Sequence, residues 1–131
     1  MSTALIVEDS IAQRENISIL LQRIGLSVIY AKDGIEALEQ VQNYHPELVV
    51  LDILLPKMNG YEVCRRLKSD EKTQNSIVVM CSSKGEQFDH YWGIKQGADA
   101  YISKPFLPQD LVCTVKYLLR EIKQPEYQFI G

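Results

Sequence analysis

Glu8, Asp9, Asp52, Ser82 and Lys104 all stand where a short apolar run stops. Ala4-Leu5-Ile6-Val7 runs into Glu8-Asp9, and Leu48-Val49-Val50-Leu51 runs into Asp52. Ile77-Val78-Val79-Met80-Cys81 runs into Ser82-Ser83, and Tyr101-Ile102-Ser103 runs into Lys104-Pro105. If these runs are parallel strands of one sheet, three carboxylates, a hydroxyl and an ammonium meet at one edge. Crowding of like charge is costly, and chemistry is the usual reason to keep it. Three carboxylates suit a hard divalent cation, and Mg²⁺ favours a few carboxylates completed by water and phosphate oxygens. In a pocket neutralised in that way, a carboxylate can attack a phosphoryl group and carry it as an aspartyl phosphate. Asp52 is the best nucleophile, because it closes the central run. Lys104 would bring mobile positive charge to the phosphoryl oxygens, and Ser82 would bring a hydrogen bond. Taken singly, each residue is more often a cap, a turn or a loop. Four strand ends with complementary chemistry are harder to reach by coincidence.

The elements that must position these residues alternate along the chain. A first strand is expected over residues 4–8, followed by a helix capped by Asp9-Ser10, carrying Ile17, Leu20, Leu21 and Ile24 at helical spacing and ended by Gly25. Ser27-Val28-Ile29-Tyr30 reads as a second strand, and Asp33 caps a helix with Ile35, Leu38 and Val41 that His45-Pro46 closes. A third strand spans Leu48 to Asp52, a loop spans Pro56 to Gly60, and Tyr61, Val63, Cys64 and Leu67 lie on a third helix. A fourth strand is expected over residues 77–81, a fourth helix from Glu86 to Gln96 with Gly97 behind it, and a fifth strand over residues 100–103. Pro108 opens a fifth helix with Leu111, Val112, Val115, Leu118, Leu119 and Ile122. Strict alternation with continuous apolar strands predicts an α/β fold: a doubly wound, five-stranded parallel sheet with helices on both faces. Ligands of such sheets sit outside the carboxyl ends of the strands. A single domain over residues 1–123 with a short tail over 124–131 is expected.

Composition narrows the function classes. The 131 residues are enough for one domain with a real core, and 46% hydrophobic with 24% charged residues is ordinary for a soluble protein. A net charge of -3 with a pI near 5.4 does not favour a nucleic-acid surface. No apolar run approaches the roughly 20 residues of a membrane helix, and Met1-Ser2-Thr3 leads directly into a strand, so neither membrane insertion nor a signal peptide is expected. Cys64, Cys81 and Cys113 form no metal-ligand pattern; reduced thiols in a cytoplasmic protein are the simplest reading.

In their order along the chain, these residues resemble the receiver domain of two-component response regulators, over nearly the whole length from Ala4 to Lys123. The resemblance rests on Val7-Glu8-Asp9-Ser10, Ala31-Lys32-Asp33-Gly34-Ile35-Glu36-Ala37-Leu38 and Pro46-Glu47-Leu48-Val49-Val50-Leu51-Asp52. It continues through Pro56-Lys57-Met58-Asn59-Gly60-Tyr61-Glu62 and from Gly97 to Phe106. It implies the flavodoxin-like strand order 2-1-3-4-5. It implies Asp52 as phosphoacceptor, and Mg²⁺ held by Glu8, Asp9, Asp52 and the backbone carbonyl of Leu54. It implies Ser82 as the switch hydroxyl, Lys104 as the partner of the phosphoryl group, Tyr101 as the switch aromatic, and a cis bond before Pro105. Ser82 replaces the frequent threonine, and Leu55 replaces the frequent methionine before Pro56. Leu54 and Lys84 take the positions that tune dephosphorylation in the family, where an apolar and a cationic side chain would shield the phosphoryl group from water. Self-phosphorylation and self-dephosphorylation are implied, not turnover of an outside substrate.

The implied output is a signal. Phosphorylation draws Ser82 inward, Tyr101 rotates in behind it, and the face of the fourth helix, fifth strand and fifth helix changes. The fourth helix is unusually aromatic, with Phe88, His90, Tyr91 and Trp92. Tyr91 at least is expected to pack inward, whereas His90 and Ile94 share a face that, with Tyr101, would meet a partner or a second copy of the chain. The implied partners are a histidine kinase or phosphotransfer protein and a downstream target protein. The stretch Trp92-Gly93-Ile94-Lys95-Gln96-Gly97-Ala98 resembles single-domain receivers of twitching-motility and phototaxis systems. The alternatives are a phosphate sink for a kinase and, from another class, a flavodoxin-like cofactor binder. The second is disfavoured because Glu8-Asp9 would repel a flavin phosphate at the turn where one should bind.

Overall fold

The computed structural model describes residues 2–84 and 86–123, with the side chains of 121–123 excepted. The tail expected over 124–131 lies outside the described residues. Ten elements alternate: β1 (Thr3–Val7), α1 (Ile11–Arg23), β2 (Ser27–Ala31), α2 (Gly34–Tyr44), β3 (Leu48–Leu51), α3 (Gly60–Ser69), β4 (Ile77–Ser82), α4 (Gln87–Lys95), β5 (Ala100–Ser103) and α5 (Pro108–Lys123). The strands form one parallel sheet in the order β2-β1-β3-β4-β5, as expected.

The sheet has a core on each side. Leu5, Val7, Val49, Leu51, Val78 and Met80 point to the face covered by α2 and α3. Ala4, Ile6, Leu48, Val50, Val79 and Cys81 point to the face covered by α1 and α5. Both sets alternate along β1, β3 and β4, so these three central strands are apolar on both faces and read as unbroken runs. All residues of β3 and β4 are buried.

The helix starts are chemically marked. Ser10, Asp33 and Asn59 are N-caps, with side chains accepting from the backbone of Gln13, Glu36 and Glu62. His45 ends α2 in the left-handed conformation, φ 46°, and its N–H donates to the Val41 carbonyl. Gly60 starts α3 against the end of β3; a Cβ there would lie 2.2 Å from the Asp52 carbonyl oxygen, so only glycine lets this helix approach so closely.

α4 departs from expectation. Its buried residues are Asp89 and Gly93, while Phe88, Tyr91, Trp92 and Ile94 are exposed. The inward packing expected of Tyr91 is therefore corrected: it is 60% exposed. Asp89 and Gly93 are four positions apart and share the inner face, so the aromatic side chains fall on the remaining faces.

Candidate functional site

The strand register brings the predicted residues together. Val7 pairs with Leu51, Leu51 with Met80 and Met80 with Tyr101, so these four lie in one row across the sheet. Glu8 and Asp52 each follow the last residue of their strand and sit side by side. The Glu8 N–H donates to Ala31, and the Asp52 N–H donates to Val7. Lys104 follows β5, and its N–H donates to the Ser82 carbonyl at 2.8 Å. The Lys104-Pro105 bond is cis.

Lys104 Nζ occupies the centre. It lies 2.5 Å from Glu8 Oε1 and 3.2 Å from Asp52 Oδ2, and it also donates to Gln13 Oε1. Glu8 and Asp52 are buried, while Asp9 is exposed at the mouth of the same cleft. Burial pushes the Glu8 carboxyl up, and hydrogen bonds from Lys104 and the Ser10 N–H offset this only in part. Burial also works against the Lys104 charge, but Glu8 and Asp52 outweigh it and leave its pKa raised. The ammonium is thus firmly protonated and acts as the internal counter-ion of the two buried acids.

The remaining predicted residues frame this centre. Ser82 is fully buried, and its Oγ accepts the Lys84 N–H at 3.4 Å. The Leu54 N–H donates to Asp52 Oδ1 at 3.2 Å, and its side chain stays exposed over the cleft. The Lys84 ammonium is turned toward α4, 3.7 Å from Asp89 Oδ1. Tyr101 is half-buried, with its hydroxyl donating to the Lys84 carbonyl. Its ring lies 4.2 Å from that of His90, and His90 Nε2 lies 2.7 Å from Ser103 Oγ. His90 is accordingly half-buried and engaged on β5, so it is less open than the face expected of it and Ile94 requires. Of His90, Ile94 and Tyr101, the expected partner face, Ile94 is the exposed member, at 49%, and the other two are half-buried.

Two residues of the site escaped the sequence reading. Gln13 lies in the first turn of α1, three positions after the N-cap Ser10, where the helix begins beside the strand ends. Asp89 is a buried acid on the aromatic-rich helix α4; it accepts from the Tyr61 hydroxyl at 3.3 Å.

The donor set suits Mg²⁺ in chemistry: Glu8, Asp9 and Asp52 offer hard oxygen donors to one cleft, and Lys104 is the one cation among the described residues that line it. They are not preassembled. Among the described residues no three metal-ligating side chains stand close enough to hold an ion, because Glu8 and Asp52 are turned onto Lys104.

Comparison with known proteins gives a consistent picture. The family model for the response regulator receiver domain matches residues 4–116. The alkaline phosphatase synthesis transcriptional regulatory protein PhoP of Bacillus subtilis is 39% identical over 123 residues, covering 92% of this chain and 50% of its own length. Protein PilG of Pseudomonas aeruginosa is 34% identical over 112 residues, covering 86% of this chain and 83% of its own. Among solved structures, a CheY-like receiver domain protein from Methanospirillum hungatei superposes with a TM-score of 0.87 at 28% identity, covering 95% of this chain and 98% of that one. The chain spans about half the length of the transcriptional regulators it matches, 49% to 52% of each.

Proposed function

The chain belongs to the response regulator receiver family, and on that footing we propose that it is a stand-alone phosphorylation switch that accepts a phosphoryl group on Asp52 from a histidine kinase or phosphotransfer protein. The observation that carries this reading is the position of Lys104 Nζ between Glu8 and Asp52, three residues far apart in the chain. Such a cluster is of little use to stability and well suited to phosphoryl transfer. Asp52 supplies the nucleophilic oxygen, and the bond from phosphorus to the donor breaks as the bond to Asp52 forms. Lys104 leaves its carboxylate partners for the phosphoryl oxygens. Ser82 turns its hydroxyl from the Lys84 N–H toward the same oxygens. Glu8, Asp9, Asp52 and the Leu54 carbonyl would hold Mg²⁺, which supplies the positive charge an anionic donor needs in this acidic cleft.

Leu54, exposed over the cleft, shields the phosphoryl group from water, and Lys84 contributes when it leaves Asp89. The chain catalyses its own phosphorylation and hydrolysis and turns over no outside substrate. The output is a partner protein met by the face of α4, β5 and α5, with Ile94 and the exposed aromatic side chains of α4 as contacts. A second copy of the chain on that face is the alternative. Coverage of most of the length of Protein PilG supports a single-domain role, and the stretch from Trp92 to Ala98 supports one in motility or phototaxis. The proposed location is the cytoplasm; no helix among the described residues is long and apolar enough to cross a membrane.

The test is incubation with acetyl phosphate and Mg²⁺, read as a phosphate-dependent gel shift. The shift should appear in the unmodified chain and vanish in Asp52→Asn. Equal labelling of both would overturn the assignment of Asp52.

A further inference from the structure

We propose that Gly93 is a positioning residue for Tyr101: its bare backbone forms the floor of a slot that seats the ring inward before any phosphoryl group arrives. Glycine within a helix is disfavoured relative to alanine, so its place in the last turn of α4, three positions before the C-cap Gln96, calls for a reason. A left-handed turn is not that reason, since Gly93 lies within regular helix. Space is. A Cβ at Gly93 would lie 2.8 Å from Tyr101 Cδ2, 3.2 Å from Tyr101 Cε2 and 2.9 Å from Met80 Sδ.

The two neighbours differ in what they can yield. Met80 Sδ is near the end of an unbranched side chain that repacks readily. The Tyr101 ring is held at its other edges. His90 lies against it at 4.2 Å, and the hydroxyl donates to the Lys84 carbonyl. His90 is itself fixed by Ser103 Oγ at 2.7 Å. A methyl group at position 93 therefore cannot be absorbed by a small tilt of the ring. It drives Tyr101 out of the slot toward solvent, the other rotamer open to a side chain at the edge of the sheet.

The slot changes what the ring can report. With Tyr101 already inward, its hydroxyl reads the position of the Lys84 carbonyl, and Ser82 holds the N–H of the same residue. Movement of Ser82 is then transmitted through Lys84 to a ring already in place. This downstream step rests on the proposed phosphorylation of Asp52; the seating of the ring does not.

Labelling with 3-fluorotyrosine allows the resting ring to be observed directly, with the Tyr101 ¹⁹F signal assigned by its loss in Tyr101→Phe. In the unphosphorylated chain the signal should show a small H₂O/D₂O shift, that of a ring withdrawn from solvent. In Gly93→Ala it should move to the exposed value. A Tyr101 signal unchanged by Gly93→Ala, or already exposed in the unmodified chain, overturns the proposal. Thermal midpoints of Gly93→Ala, Tyr101→Ala and the double variant supply a second measurement. Alanine at 93 should lower the midpoint when Tyr101 is present and raise it when Tyr101 is removed, whereas additive midpoints overturn the proposal. Acetyl phosphate labelling of the unmodified chain and of Asp52→Asn tests the Asp52 assignment separately, and its failure would leave the resting-state ring measurement intact.

Discussion

Lys104 Nζ lies 2.5 Å from Glu8 Oε1, with the two side chains only 13% and 3% exposed. An ion pair so withdrawn from water depends on both members. Removing one leaves an uncompensated charge, and that costs several times what a surface pair is worth.

Lys104→Met should therefore lower unfolding stability at neutral pH by about 3 kcal/mol, measured by urea denaturation. The sign of the pH dependence follows from the raised Lys104 pKa. A raised basic group contributes stability below its unfolded value of about 10.4 and loses it as pH rises through the folded value. The unmodified chain should keep this contribution at pH 7 and lose it only in strong base. Lys104→Met should lack it throughout, with the deficit shrinking in acid as Glu8, whose carboxyl burial pushes up, takes up its proton.

Gln13 Oε1 accepts a hydrogen bond from the same ammonium, and Gln13 is neutral and exposed, the easiest of the three acceptors to displace. Gln13→Leu should free that N–H for an incoming oxygen. Beryllofluoride, a phosphoryl mimic, should then bind up to about fivefold tighter in a titration, the equivalent of about 1 kcal/mol for one hydrogen bond. Unchanged or weaker binding would count against the idea that Gln13 holds the place of a phosphoryl oxygen.

Asp33 caps α2 through the Glu36 N–H at 2.8 Å. That bond holds its carboxyl below the usual range against the opposing effect of burial, and Lys57 helps at 3.5 Å. A depressed acid contributes stability above its unfolded value and loses it as pH falls through the folded one. Asp33→Ala should cost about 1 kcal/mol at pH 7, and Asp33→Asn much less. Both variants should lose the part of the acid-induced destabilisation, below about pH 4, that Asp33 contributes.

Burial pushes the Cys64 and Cys81 thiols up to about 12, whereas Cys113 is exposed. Maleimide should modify one thiol of the native chain quickly, and Cys113→Ser should abolish that reaction. Rapid modification of two or three thiols would contradict the buried placement of Cys64 and Cys81.

Much of the sheet and its acidic edge was legible because parallel strands buried on both faces leave unbroken apolar runs, and the residue after each run falls at the same edge. Glu8, Asp52, Ser82 and Lys104 were found in that way, and Asp33 was found from its cap position. The helix α4 itself was legible, but its inner face was not, because its pattern is inverted. The residues it buries are an acid and a glycine, held by Tyr61, Lys84 and the Tyr101 ring, which are partners that hydrophobic periodicity does not register. Tyr91 was misplaced for that reason. Gln13 was missed because it acts through a side chain from the other end of the chain, a meeting that only the closed sheet creates.

An inverted helix also has little to hold it down. With Asp89 and Gly93 inside and its large side chains in water, α4 draws less from the core than β1 or β3, whose strands are buried at almost every position. In the native ensemble its amides should exchange with deuterium through small local openings, long before those of the central strands. Any partner that closes over the aromatic faces would register as slowed exchange confined to this one segment.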